Sequence, residues 1–288
     1  MAIRKFLLPL SSPESGEVAL HVALLLTARA RAHLHVVHIR TGGYEMAPLA
    51  GEGVPGAMID RIITDADRER SAQVDRLRDL FQAAAAQHGI PVQQARFGSE
   101  EPSANFSVIE GREEVAVAYQ ARVADFTIVP HPAAGEDVAS ATALHAVLFD
   151  SGRPVLLAPL TRPSIIGRRI AVAWNGLSNA AAALGSAMPL IRAAEAVRVL
   201  TAPEYFRNGP PAEEVVDYLA YHGVGADIVT FAPIDRETGA GLLQAAADFQ
   251  ADLMCMGAYS SSRLRQLILG GVTRYVLENA DLPVLMNR

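Results

Sequence analysis

The stretch "GAYSSSRLRQLILGGVTRYVL", Gly257 to Leu277, gathers residue types suited to holding a phosphate. Glycines stand at 257, 270 and 271, and hydroxyls at Ser260, Ser261, Ser262 and Thr273. A helix is expected over 272–280. Its first N–H groups lack intrahelical partners, and its dipole places partial positive charge at that end. Paired glycines just before such a helix let the backbone approach an anion without an intervening Cβ. The same spacing also fits a simpler role, in which Gly257 ends a strand and Gly270–Gly271 cap the segment "LRQLIL". Spacing alone leaves both readings open.

Other chemistries are excluded more firmly. The chain has a single lysine, Lys5, so no P-loop lysine exists, and no G-x-x-x-x-G-K-[ST] occurs. Neither half's first strand is followed by G-x-G-x-x-G, against a dinucleotide site. No G-x-S-x-G, H-E-x-x-H or S-x-x-K stands in a suitable context, and no carboxylate is expected in the crevice, so no catalytic residue is assigned.

The elements that must position these residues alternate between short apolar strands and helical patterns along all 288 residues. Strands are expected near 4–10, 33–39, 91–97, 125–130 and 154–159, then near 169–175, 196–202, 226–231, 252–257 and 283–287. Helices are expected near 14–31, 60–88, 111–122, 138–150, 178–194, 212–222, 238–250 and 272–280. The order repeats, and so does the text: "ADFTIVPHP" matches "ADLMCMGAY", and "RPVLLAPL" matches "LPVLMNR". A division into 1–161 and 167–288 follows, with the joint at "TRPSIIG". The fold class is α/β: two tandem, open, doubly wound, parallel five-stranded sheets in the order 3-2-1-4-5, with helices on both faces. Ligands bind such sheets outside the carboxyl ends of the strands, where the order reverses. Gly257 ends a fourth strand, so it lies in the right place.

At this point the residues carry a resemblance. The stretch resembles the nucleotide loop of universal stress proteins, G-x2-G-x9-G-[ST] after the fourth strand, and the resemblance extends over both halves. It implies a Rossmann-like fold of the adenine nucleotide alpha hydrolase type and a regulatory stress-response protein that binds ATP or a related adenine nucleotide in its second half. Mg²⁺ is implied only as an accompanying ion. The nucleotide-binding residues implied are Ala173, Asn175, Gly176, Thr201, Met256, Gly257, Ser260, Arg263, Gly270, Gly271, Val272 and Thr273. Three of them depart from the pattern. Ser260 replaces the second glycine, Gly271 replaces the Ser/Thr, and Asn175 replaces an aspartate, removing a charge that could hold Mg²⁺. The first half has Ser11 at the aspartate position and no spaced glycine pair, so it is expected to bind nucleotide poorly. Arg207, in the loop after the second half's second strand, is a further candidate phosphate partner. A nucleotide-independent interaction protein is the second reading, and an enzyme acting on adenylated or phosphorylated substrates the third.

The remaining signals bound the context. Half of the residues are hydrophobic, 19% are charged and the net charge is −6, against a general nucleic-acid binder. No apolar run reaches membrane-span length, and the N-terminus lacks a secretory h-region, so a cytoplasmic, membrane-free protein is expected. The lone Cys255 belongs to an apolar strand and suits a reducing compartment. His33 and His35 share one strand face, but a metal reading would need a third ligand such as His21, and partly exposed histidines fit better. Trp174 fits core packing better than base stacking. The Gly/Pro-punctuated loop 41–59 could cover a ligand or fill the first crevice. The fifth strands, 154–159 and 283–287, are expected to pair as an intramolecular pseudo-dimer, compatible with a further homodimer through another face.

Overall fold

The computed structural model describes residues 2–40, 56–95, 98–133, 138–259 and 271–288. The first half contains β1 (Lys5–Pro9), α1 (Pro13–Ala30), β2 (His33–Arg40), α2 (Gly56–Gln87), β3 (Ser103–Glu110), α3 (Glu113–Ala121), β4 (Phe126–Val129), α4 (Val138–Ala146) and β5 (Val155–Leu157). A π-helical turn, Val147–Ser151, continues α4. The second half contains β6 (Arg169–Ala173), α5 (Ser178–Ile191), β7 (Ala196–Thr201), α6 (Ala212–Tyr221), β8 (Ala226–Thr230), α7 (Thr238–Asp248), β9 (Leu253–Gly257), α8 (Val272–Asn279) and β10 (Val284–Asn287).

Local chemistry explains where the strands begin. Asp125, just before β4, accepts from the backbone N–H groups of Arg4 and Lys5 at 2.7 and 2.9 Å. Asp252, just before β9, does the same for Gly167, Arg168 and Arg169. Each carboxylate thus fixes the start of its half's first strand. Helix α1 follows β1 directly, with Pro13 at its first position and the Ser12 hydroxyl accepting from the Ser15 N–H at 3.2 Å.

Each half has the expected 3-2-1-4-5 order, but the sheets are not separate. They join as one ten-stranded sheet, β3-β2-β1-β4-β5-β10-β9-β6-β7-β8. Every pairing is parallel except the central one, where β5 meets β10 antiparallel, with Val284 opposite Leu157, Leu285 opposite Leu156 and Met286 opposite Val155. Both cores run through this seam. Leu156 and Leu285 belong to the layer under α1, α2, α5 and α6; Val155, Leu157, Val284 and Met286 belong to the layer under α3, α4, α7 and α8. Cys255 is 1% exposed in the first of these layers, and burial pushes its thiol up to about 12, as core packing requires.

One expected strand is wrong. The third strand of the first half is Ser103–Glu110, not 91–97. Residues 91–93 only run beside it, with Ala104 donating to Pro91 O and Gln93 donating to Ala104 O. The true strand alternates Ala104 and Phe106, packed inward, with Ser103, Asn105 and Ser107 on the other face. That polar face hid it.

The connection between the halves is held at several points. Arg29 donates to Ile166 O, Gly167 O and Ala193 O at 2.7, 2.9 and 2.9 Å, His21 contacts Pro163 O at 2.9 Å, and Arg162 pairs with Glu17. No helix among the described residues is long and apolar enough to cross a membrane.

Candidate nucleotide site of the second half

β6 and β9 lie side by side, with Ala173 opposite Met256, and the sheet order reverses between β6 and its neighbours. The chain leaves β6 through Trp174–Leu177 into α5, and leaves β9 through Gly257–Tyr259 towards α8. Ala173 and Met256 are each 1% exposed, so only their backbones are available to a ligand. Their side chains belong to the core.

Asn175 is buried beside this crevice. Its Oδ1 accepts from the Leu177 N–H at 3.1 Å, closing the turn into α5, while its Nδ2 forms no hydrogen bond among the described residues. That leaves an amide donor. Gly257 has a packing reason for its identity: a Cβ there would lie 2.5 Å from the Ala180 nitrogen and 2.7 Å from the Asn179 carbon. Strand β9 therefore passes against the first turn of α5, closer than any side chain allows. Asn179, a residue not singled out in the sequence, secures the contact by donating from Nδ2 to Ala258 O at 2.9 Å. Its position in the first turn of a helix ending a crevice was the available signal.

At the other wall, α8 begins after Gly271 with no side-chain cap. Gly271 is exposed, and a Cβ there would meet nothing within 4 Å. Val272 and Thr273 are half-buried, and the Thr273 hydroxyl accepts weakly from the Tyr259 N–H at 3.4 Å. Thr201, at the end of β7, is half-buried. Ser260, Arg263 and Gly270 lie outside the described residues, as does most of the loop 41–59.

A second loop reaches the same crevice. The segment 202–211 folds over the turn after β6: Trp174 Nε1 donates to Pro210 O at 2.8 Å, and Arg207 N donates to Asn175 O at 3.0 Å. Gly176 has φ +81°, and a Cβ on Gly209 would stand 2.0 Å from the Gly176 oxygen, so two glycines permit this approach. Trp174 thus packs in the core, as expected. Arg207 is exposed and its Nη1 donates to Glu204 O at 2.8 Å. Tyr205, on the same segment, is buried with an unpartnered hydroxyl, and burial raises its pKa.

Tyr259, also missed in the sequence, crosses the seam. It adopts φ +48°, its ring lies 5.2 Å from that of Phe149, and Arg288 stacks on Phe149 at 4.6 Å. The mouth of the second-half crevice therefore touches the π-helical turn of the first half.

The first-half counterpart is built differently. Ser11 O accepts from Gln73 Nε2 at 2.7 Å, placing α2 over the turn after β1. His38, buried, donates from Nδ1 to Leu10 O at 2.8 Å. His33 and His35 do face the same side, but they bond Ser103, Asn105 and Ser107. His21 pairs instead with His88 at 3.0 Å. No His, Cys, Asp and Glu cluster able to hold a metal exists among the described residues.

Burial, then Lys5, lower the His35 pKa from 6.5 to about 4. The unfolded chain therefore takes up this proton first, so stability is present above pH 6.5 and is lost as pH falls towards 4. The full linkage value is about 3 kcal/mol. Because the ring is partly open to solvent, a loss of about 1–2 kcal/mol is expected. His35→Gln should flatten the fall in urea midpoint between pH 7 and 5. A wild-type-minus-variant difference that stays constant with pH would remove His35 as its source.

A model of the universal stress protein family matches residues 167–288. No curated protein sequence matches the chain. Among solved structures, it is similar to a universal stress protein from Archaeoglobus fulgidus DSM 4304, with 15% identity, a TM-score of 0.65, and coverage of 99% of this chain and 96% of that one. A putative universal stress protein from Pseudomonas aeruginosa UCBPP-PA14 gives 15% identity, a TM-score of 0.54 and coverage of 99% and 93%. A functionally unknown protein from Pseudomonas aeruginosa PAO1 gives 14% identity, a TM-score of 0.54 and coverage of 99% and 92%. At these identities the likeness concerns the fold, and it spans both halves. Residues 167–288 thus match the universal stress protein family model, and the first half repeats their strand order.

Proposed function

We propose that residues 167–288 bind ATP or a related adenine nucleotide, that residues 1–161 form a degenerate counterpart, and that the chain acts as a regulatory protein in a cytoplasmic stress response. The observation that carries this reading is convergence. The Asn175 amide, the Gly257 turn and the uncapped start of α8 at Gly271–Thr273 meet at the one place in the half where the strand order reverses. In this reading Asn175, with Thr201, contacts base or ribose. The backbone of Val272 and Thr273, the Thr273 hydroxyl and the segment carrying Ser260, Arg263 and Gly270 hold phosphates. The described crevice residues offer magnesium an amide and hydroxyls but no carboxylate, so they do not form a protein-held magnesium site.

Ligand released from the purified protein and identified by mass spectrometry tests this directly. Stoichiometric adenine nucleotide supports it. In calorimetric titrations with ATP, Asn175→Ala should weaken binding by about twofold to tenfold, the worth of one hydrogen bond. Ser11→Ala should leave it unchanged. Equal effects would refute the assignment of one site to one half.

The packing of Gly209 on Gly176 favours a second reading, a nucleotide-independent interaction protein, because segment 202–211 occupies space over the β6 turn. Absence of nucleotide in the purified protein together with no heat of ATP binding would select it. In either case we infer that the halves act as an intramolecular pseudo-dimer through β5 and β10.

A further inference from the structure

The duplicated fold supplies its own comparison on the sheet face under α3, α4, α7 and α8. In the second half, three side chains near the amino ends of the first three strands fill this face. Arg198 pairs with Asp227 at 2.6 Å, and Arg169 and Arg198 lie 4.5 and 4.4 Å from the ring centroid of Phe249, the residue that ends α7. Strand register places Lys5, His35 and Asn105 at the positions of Arg169, Arg198 and Asp227. The residue that ends α3 is Arg122, which turns away to donate to Asp150 O. The aromatic plug and the ion pair are both missing there. A groove of about 670 Å³ takes their place, lined by Lys5, His33, His35, Ser103, Asn105 and Ser107.

The hydrogen bonds define what the groove can still offer. His33 Nε2 lies 2.8 Å from Asn105 Oδ1, an oxygen that only accepts, so Nε2 carries the proton. Its Nδ1 then accepts from the Ser103 hydroxyl at 2.8 Å, and the ring has no capacity left. His35 spends Nε2 on the Ser107 hydroxyl at 2.7 Å, which leaves Nδ1 for a ligand. Burial, the first cause in each case, lowers both imidazole pKa values, so the rings are neutral at pH 7. Lys5 forms no ion pair with a carboxylate among the described residues, whereas Arg4 at the rim is tied to Glu100. Among the described residues Lys5 is thus a groove cation without an ion pair, set beside neutral hydrogen-bonding groups, with the Asp125 carboxylate acting on it from beyond ion-pair distance and Glu101 at the rim.

We propose that this groove binds a small, singly charged hydroxycarboxylate, with the carboxylate on Lys5 and the hydroxyls on His35 Nδ1 and the serines. A doubly charged phosphate ester would meet a single cation free of an ion pair among the described residues and would approach Glu101 at the rim. A volume of this order suits a metabolite-sized ligand. The site lies at the amino ends of the strands in the first half, away from the nucleotide crevice of the second.

Amide resonance shifts of the full chain, titrated with D-gluconate, D-glucose, inorganic phosphate and ATP, test the proposal. Gluconate should shift residues of β1, β2 and β3 near their starts, and ATP should not shift those residues. Lys5→Gln should weaken gluconate binding at least tenfold. The paired change His35→Arg with Asn105→Asp, which restores the ion pair of the second half, should abolish it in a folded protein. Equal shifts from glucose, tighter binding of phosphate, or gluconate binding indifferent to both variants would each overturn it.

Discussion

Lysines in place of both Leu156 and Leu285 should split the molecule along its centre. The two leucines face each other in register and are 1% and 0% exposed. Truncating a buried leucine alone costs about 2–5 kcal/mol. Two ammonium groups directly opposite each other add repulsion and desolvation, since a buried charge without a partner costs about 3–5 kcal/mol. The combined loss is on the order of the whole stability of a domain. Limited proteolysis should then cut within 161–167, where Arg29 no longer holds Ile166 and Gly167 against the second half's Ala193. The conservative pair Leu156→Val and Leu285→Val should keep the wild-type digestion pattern. Unchanged melting and digestion in the double lysine variant would show that the seam does not hold the halves together.

Gly257→Ala should destabilise the second half by about 1–3 kcal/mol, the usual cost of overpacking. The new methyl would stand 2.5 Å from a backbone nitrogen of α5, and neither strand nor helix can yield without losing the Asn179–Ala258 bond. Trp174, the sole tryptophan, lies in that half with its Nε1 bonded to Pro210 O, so its fluorescence reports the loss selectively. Gly271→Ala, facing open space, should change stability by no more than about 0.5 kcal/mol. If both substitutions behave alike, the close approach of β9 to α5 is not what selects glycine at 257.

Much of this architecture was legible because periodicity reports burial, and in doubly wound sheets most strands are buried on both faces. "FLLP", "RIAVA" and "LMCMG" read as strands for that reason, and the order 3-2-1-4-5 expected for the doubly wound halves is the one the sheet has. The third strand of the first half was not legible, because Ser103, Asn105 and Ser107 make one face polar and leave no continuous apolar run. At the crevice, Gly257 was singled out from its position at a strand end and Asn175 through the family resemblance. What spacing could not show was the second purpose of Gly257, which depends on a helix starting 79 residues earlier in the chain, at Ser178. Nor could it show segment 202–211 lying over the β6 turn, because that contact rests on backbone carbonyls and on two glycines far apart in sequence.

Joining β5 to β10 within one chain also changes what a single substitution does. In a dimer of identical subunits, any replacement appears on both sides of the symmetry axis, so a change that suits one pocket is imposed on the other. Here each side is encoded separately while the antiparallel join stays intact. Asn105 and Asp227, or Arg122 and Phe249, are thus independent variables, and one half can lose a charge or a plug at the amino ends of its strands while the other keeps it. The fused sheet turns a symmetric scaffold into one with two separately adjustable addresses.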